Sequence, residues 1–162
     1  MTVTDETQLD PRIHRQLAVN VDAAEGDRLT AYVDTLGNWT IGRGHKLPPA
    51  APGRSWEGFT IIQSTDDRYF NDDLLNALTM AQKLPEWSSC DTDARQDALT
   101  ELCFNMGGKW EEFRQTRAAI QAQDWPSVKA NLLDSLWATQ VHARAIRIAD
   151  QFLTGQYGEA GA

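Results

Sequence analysis

Two carboxylates, Glu25 and Asp34, stand in the stretch EGDRLTAYVDTLGNWTIGRGH that runs from Glu25 to His45. Glu25 closes a helical pattern, where the negative end of the helix dipole disfavours an anion, as suits a proton donor. Asp34 falls in DTLGN between two β-rich runs, a turn near water where a carboxylate stays ionised at little cost. Two carboxyls in such contrasting surroundings can divide acid and anion between them, and glycoside cleavage is the reaction class that most often uses the pair. Spacing alone does not separate this reading from a solvated helix-end Glu and a turn-forming Asp. What separates them is the order of the surroundings: EG at a helix end, then RLxxY, DxxG, TIG and GH.

These residues need elements to hold them. Asp10-Pro11 reads as a helix start, Asp as cap and Pro at the first helical position, with Ile13, Leu17 and Val21 on one face as far as Ala24. Gly26 ends it, and LTAYV and NWTIG form a hairpin across Asp34 to Asn38. Leu47 to Gly58, rich in Pro, is a loop. A helix is expected from Thr65 to Leu84, closed by Pro85; the next is capped by Thr92 or Asp93, carries Ala98, Leu102 and Met106 as a stripe and stops at Gly107-Gly108. Short helices follow around Glu111–Gln115 and Thr116–Gln123; Pro126 opens another, and a last one runs from Trp137 or Ala138 to Phe152 before Gly155. The expected fold class is α+β, mainly α: one domain over 1–162 with a small β-containing lobe at 26–64, a connecting helix at 65–84 and a helical lobe from 11–24 and 85–157.

At 162 residues and 41% hydrophobic composition the chain can bury a core, which excludes wholesale disorder. No apolar run reaches the roughly 18 residues of a membrane span. The start, MTVTDETQLD, is acidic and lacks the pattern of an export signal, so membrane insertion is not expected and accumulation in the cytoplasm is. The net charge of −8 lies within residues 1–108, which hold nine basic against seventeen acidic residues. That argues against nucleic acid as a partner. Cys90 and Cys103 are expected as reduced thiols, and a Cys protease on Cys103 and His142 lacks a nucleophile signature. His14 and His142 read as helix-surface residues. No metal motif and no cofactor motif is present.

Glu25-Gly26, Arg28-Leu29, Tyr32, Asp34, Gly37, Thr40-Ile41-Gly42 and Gly44-His45 resemble the catalytic signature of phage-type lysozymes, the endolysin family that includes the T-even phage enzyme. The likeness continues through Ala98-Leu99, Cys103 to Gly107, Asn131-Leu132, Ser135 to Trp137, Arg144-Ala145 and Thr154-Gly155, and covers about residues 11–157. The resemblance implies a lysozyme-like fold with its β-hairpin lobe joined by a helix to a helical lobe. It implies Glu25 as general acid on the bond between N-acetylmuramic acid and N-acetylglucosamine. Asp34 would orient water or stabilise the transition state, and Thr40 would help hold the water. It places Arg144 near Glu25, Asn105 and Trp137 on the peptide-stem side of the substrate, and His45 with Asp73 as a structural pair. Peptidoglycan is the implied partner, met by a monomer released from the host cytoplasm through a holin pore to act on the wall in the periplasm. Asn105 replaces a longer Gln, the segment after His45 is short, and the charge is acidic where many endolysins are basic. A lytic transglycosylase and a catalytically silent wall-binding phage part are the alternatives.

Overall fold

The computed structural model describes residues 9–158, so the acidic stretch before Leu9 lies outside the described residues. The chain divides into two compact units, one ending at Leu75 and the other beginning at Asn76. Among the described residues there are seven α-helices and one three-stranded antiparallel sheet, the mainly α, α+β architecture expected from the sequence.

In the first unit α1 spans Arg15–Glu25, starting later than Asp10-Pro11 suggested. Asp10 instead closes a turn on itself: its Oδ1 accepts from the Arg12 N–H and Nε, each at 2.9 Å, and its carbonyl accepts from Ile13. Ile13, Leu17 and Val21, the stripe read from the sequence, are buried, and Ala18 is buried beside them. Glu25 is the last helical residue, and Gly26 turns the chain at φ +69°. β1 (Arg28–Val33) pairs with β2 (Trp39–Gly42), with Tyr32 opposite Thr40 and an irregularity between Arg28 and Tyr32. A third strand, β3 (His45–Lys46), sets Lys46 opposite Thr40 and His45 opposite Ile41. At the other edge Ala31 and Ile61 exchange backbone bonds with Phe59 and Leu29, so the loop is partly tied to β1. α2 (Gln63–Gln82) runs from the first unit into the second.

In the second unit α3 (Asp93–Met106) is capped by Thr92, whose hydroxyl accepts from the Arg95 N–H at 3.2 Å, and stops at Gly107. The short helix expected around Glu111–Gln115 is replaced by a 3₁₀ segment, Gly107–Glu112, anchored by buried Trp110, and α4 starts at Arg114 (Arg114–Gln121). α5 is Trp125–Leu133, with Asp124 as cap and Pro126 in its first turn. The expected last helix is two: α6 (Leu136–Val141), capped by Ser135, and α7 (Ala143–Thr154). His142 at φ +42° donates its N–H to the Ala138 carbonyl while its own carbonyl accepts from Ala145 and Ile146, ending one helix and opening the next. Leu99, Leu102, Trp110, Ile120, Leu132, Ile148 and Phe152 form the core of this unit. Arg95 closes the end of α7 by donating to the Phe152 carbonyl at 2.8 Å, and its guanidinium occupies the space a side chain at Gly155 would need. Cys90 and Cys103 are free and buried, and burial pushes both thiols up to about 12. No helix among the described residues is long and apolar enough to cross a membrane.

Candidate active site

Glu25, Asp34 and Thr40 all belong to the first unit, on the end of α1, the hairpin turn and β2. The Glu25 carboxylate lies against the backbone of Gly44: a Cβ there would sit 2.8 Å from Glu25 Oε2. Gly44 at φ +81° therefore serves two needs, a left-handed turn and the close approach of the acid. Tyr32 links the elements. It stands opposite Thr40 in the sheet, and its hydroxyl is pushed above its ordinary value by burial first and then by the negative charge of Glu25, with Asp34 adding to it.

Asp34 is less open than a turn residue was expected to be, with its side chain 16% exposed. The turn folds back on it: Oδ1 accepts from the Leu36 and Asn38 N–H groups at 2.9 and 2.8 Å, and Lys46 from β3 bonds Oδ2. Burial raises this carboxyl, but the bonds from Lys46, Asn38 and Leu36 together outweigh it and hold it at about 2. Asp34 is thus an anion because donors fix it, not because water bathes it. Thr40 is buried, and its hydroxyl donates to the Asn38 carbonyl at 3.2 Å.

His45 Nδ1 lies 2.9 Å from Asp73 Oδ2, and the ring stacks on Tyr69 at 4.1 Å. The bond to Asp73 raises the imidazole above its usual value against the pull of burial. The stabilisation this represents is present below the ordinary His value and is lost as pH rises through the folded one.

The remaining expected site residues lie in the second unit. Trp137, buried, donates its indole N–H to Asn105 Oδ1 at 2.6 Å, so these two form one element, with Asn105 exposed. Arg144 is buried: its Nε donates to Glu101 Oε1 at 2.8 Å, and Arg147 donates to both oxygens of the same carboxylate. Among the described residues no group of His, Cys, Asp or Glu could hold a metal ion.

Residues 22–146, more than half of the chain, match the family profile described as phage lysozyme. The chain belongs to the phage lysozyme family. It is an enzyme of lysozyme type, a cell-wall hydrolase. It is 27% identical to "Probable T4-type lysozyme 2" of Dictyostelium discoideum, over 83% of this chain and 92% of that protein. It is 29% identical to "Pre-baseplate central spike protein Gp5" of Enterobacteria phage T4, over 96% of this chain and 31% of that protein. It is 30% identical to "Peptidoglycan hydrolase gp36" of Pseudomonas phage phiKMV, over 75% of this chain and 13% of that protein. This phage lysozyme-family chain thus spans under a third of the length of each of the two phage proteins.

Sequence reasoning about the lysozyme site missed Lys46, Asn38 and Arg43. Lys46 could have been found from the TIGRGHK run, since a strand returning beside NWTIG brings a cation to the turn. Nothing local marks Arg43. It is buried, donates through Nη1 to Asp22 at 2.9 Å and through Nε to Asp66 at 2.7 Å, bonds Asp67, and lies over the Phe70 ring at 4.2 Å.

Proposed function

We propose that this lysozyme hydrolyses the β-1,4 bond between N-acetylmuramic acid and N-acetylglucosamine in peptidoglycan, with Glu25 as the general acid. The observation that carries the division of roles is Asp34 held at about 2 by Lys46 and the turn amides. A carboxyl that gives up its proton so readily holds none at neutral pH, so protonating the glycosidic oxygen falls to Glu25. The same property makes Asp34 a weak proton acceptor, since proton-transfer efficiency follows the acceptor's basicity. Its part is to stabilise the positive charge of an oxocarbenium-like transition state and to orient water, with Thr40 helping to hold that water. The name of the phiKMV relative, a peptidoglycan hydrolase, supports the substrate. Arg144 and the Asn105–Trp137 pair are read as substrate-side groups, and a monomer released by a holin as the acting form.

The test is the product. Purified peptidoglycan digested in H₂¹⁸O should yield muropeptides with reducing ends that carry one ¹⁸O. Anhydro-muropeptides without label would mean a transglycosylase and would strip Asp34 and Thr40 of their roles. The role of Asp34 has its own test in Lys46→Met. Removing the ammonium should let the carboxyl rise from about 2 towards the ordinary 3.8, so the acidic limb of kcat/KM moves to higher pH while the plateau changes little. An unmoved limb would mean that activity does not depend on the charge of Asp34.

The match to the T4 central spike protein over 96% of this chain favours a second delivery of the same activity, as a module of the phage particle. Mass spectrometry of purified virions decides between this and free enzyme: peptides of the chain in the particle support the module.

A further inference from the structure

We propose that Arg43 is a positioning residue for this hydrolysis, locking the last turn of α1, which carries Glu25, to the loop Gly42 to Gly44. The assignment rests on reading Glu25 as the acid. Asp22, which takes the Nη1 bond at 2.9 Å, lies three residues before Glu25 on α1, so both project from one face of the same turn. Asp66 sits in the first turn of α2, accepts from the Arg43 N–H at 3.0 Å and from Nε at 2.7 Å, and is fully buried. Asp67, the next residue, takes the other guanidinium nitrogen. One side chain, 3% exposed, thus ties the loop to both helices of its unit.

The three carboxylates offset the cost of burying the guanidinium, and the backbone on either side of it is tightly placed. A Cβ at Gly42 would fall 1.6 Å from Asp66 Oδ1, and one at Gly44 would fall 2.8 Å from Glu25 Oε2. Both glycines sit at positive φ, +59° and +81°. The loop therefore touches two carboxylates, a structural one at Gly42 and the acid at Gly44, and the residue between these glycines is the one held by Asp22, Asp66 and Asp67. β2 leads into the same loop and carries Thr40. The distance from the Glu25 carboxylate to β2 is accordingly set by the Asp22–Arg43 bond more than by the hairpin. A guanidinium suits this, since its planar fork spreads its donors over three nitrogens at fixed separations, whereas the three donors of an ammonium share one nitrogen on a flexible stem.

Steady-state kinetics on soluble, uncrosslinked glycan strands test this. Asp22→Ala cuts the link to α1 and should lower kcat by about 10- to 100-fold, the cost of misplacing a catalytic group by about 1 Å, with KM within twofold. Arg43→Lys should lose a similar factor, and the double variant no more than Arg43→Lys alone. Gly155→Ala, which strains the end of α7 in the other unit at φ +68°, supplies a loss of stability without loss of kcat. Asp22→Leu, of similar size and without an acceptor, replaces Asp22→Ala if that protein does not fold. Wild-type kcat in the Asp22 variants, or losses that multiply in the double variant, would overturn the inference. So would a shifted pH profile at an unchanged plateau, which would mean that the cluster acts through charge. Glu25→Gln run in parallel keeps the two levels apart: if it is as active as the native chain, the reading of the acid fails, whereas a silent Glu25→Gln beside a fully active Asp22→Ala sinks Arg43 alone.

Discussion

Glu25→Gln is expected to lower glycan cleavage by about 10²- to 10⁴-fold, the contribution of a positioned general acid. The amide keeps the size and the hydrogen-bonding reach of the carboxyl but has no proton to give the glycosidic oxygen. Asp34 cannot take over the task, because a carboxyl held at about 2 carries no proton near neutral pH. The substitution keeps the size of the side chain at the end of α1, so the melting temperature should stay within a few degrees of that of the native chain. Loss of activity with an unchanged or raised Tm separates a chemical defect from a folding defect. Retention of more than a tenth of the activity would assign the proton to another group.

The elements of the fold were written locally, and the interactions that tune the site were not. α3 was legible because Thr92, the stripe of Ala98, Leu102 and Met106, and Gly107 punctuate it within sixteen residues. The turn at Asp34 was legible for the same reason, as Asp and Gly at its ends supply the local bonds. The break at His142 was not, because a positive φ at a residue other than Gly or Asn gives no compositional signal. β3 is two residues long, too short for any alternation to register. The Arg43 cluster joins residues 21 to 24 positions apart, and a sequence displays Asp22, Asp66 and Asp67 only as further acids in an acidic segment.

That convergence changes what the charge of −8 means. In the first unit Asp22, Asp66 and Asp67 face Arg43, Asp34 faces Lys46, and Asp73 faces His45. Five of the seventeen acids in residues 1–108 are thus committed to internal partners. The surplus of negative charge is in part the scaffold of the site, with Asp34 held ionised as one product of it and the loop at Gly44 held in place as another.

The second large effect is expected at that loop. Gly44→Ala and Gly53→Ala both put a Cβ on a residue at positive φ, +81° and +74°, so both should lose about 1 kcal/mol to backbone strain. Their surroundings differ. Nothing lies within 4 Å of a Cβ at Gly53, whereas at Gly44 the new methyl would stand 2.8 Å from Glu25 Oε2 and 3.4 Å from its Cδ. No backbone movement at Gly44 relieves this cheaply, since Arg43, the preceding residue, is fixed by its three carboxylates. The carboxyl of Glu25 must move instead, and a shift of about 1 Å in a catalytic group costs on the order of 10²-fold in rate. Thermal melting should therefore place the two variants within a few degrees of each other, while turbidity clearing of a cell-wall suspension separates them by about two orders of magnitude. Equal activity at equal Tm would mean that Glu25 does its work away from Gly44, and the close approach seen between them would belong to the resting enzyme alone.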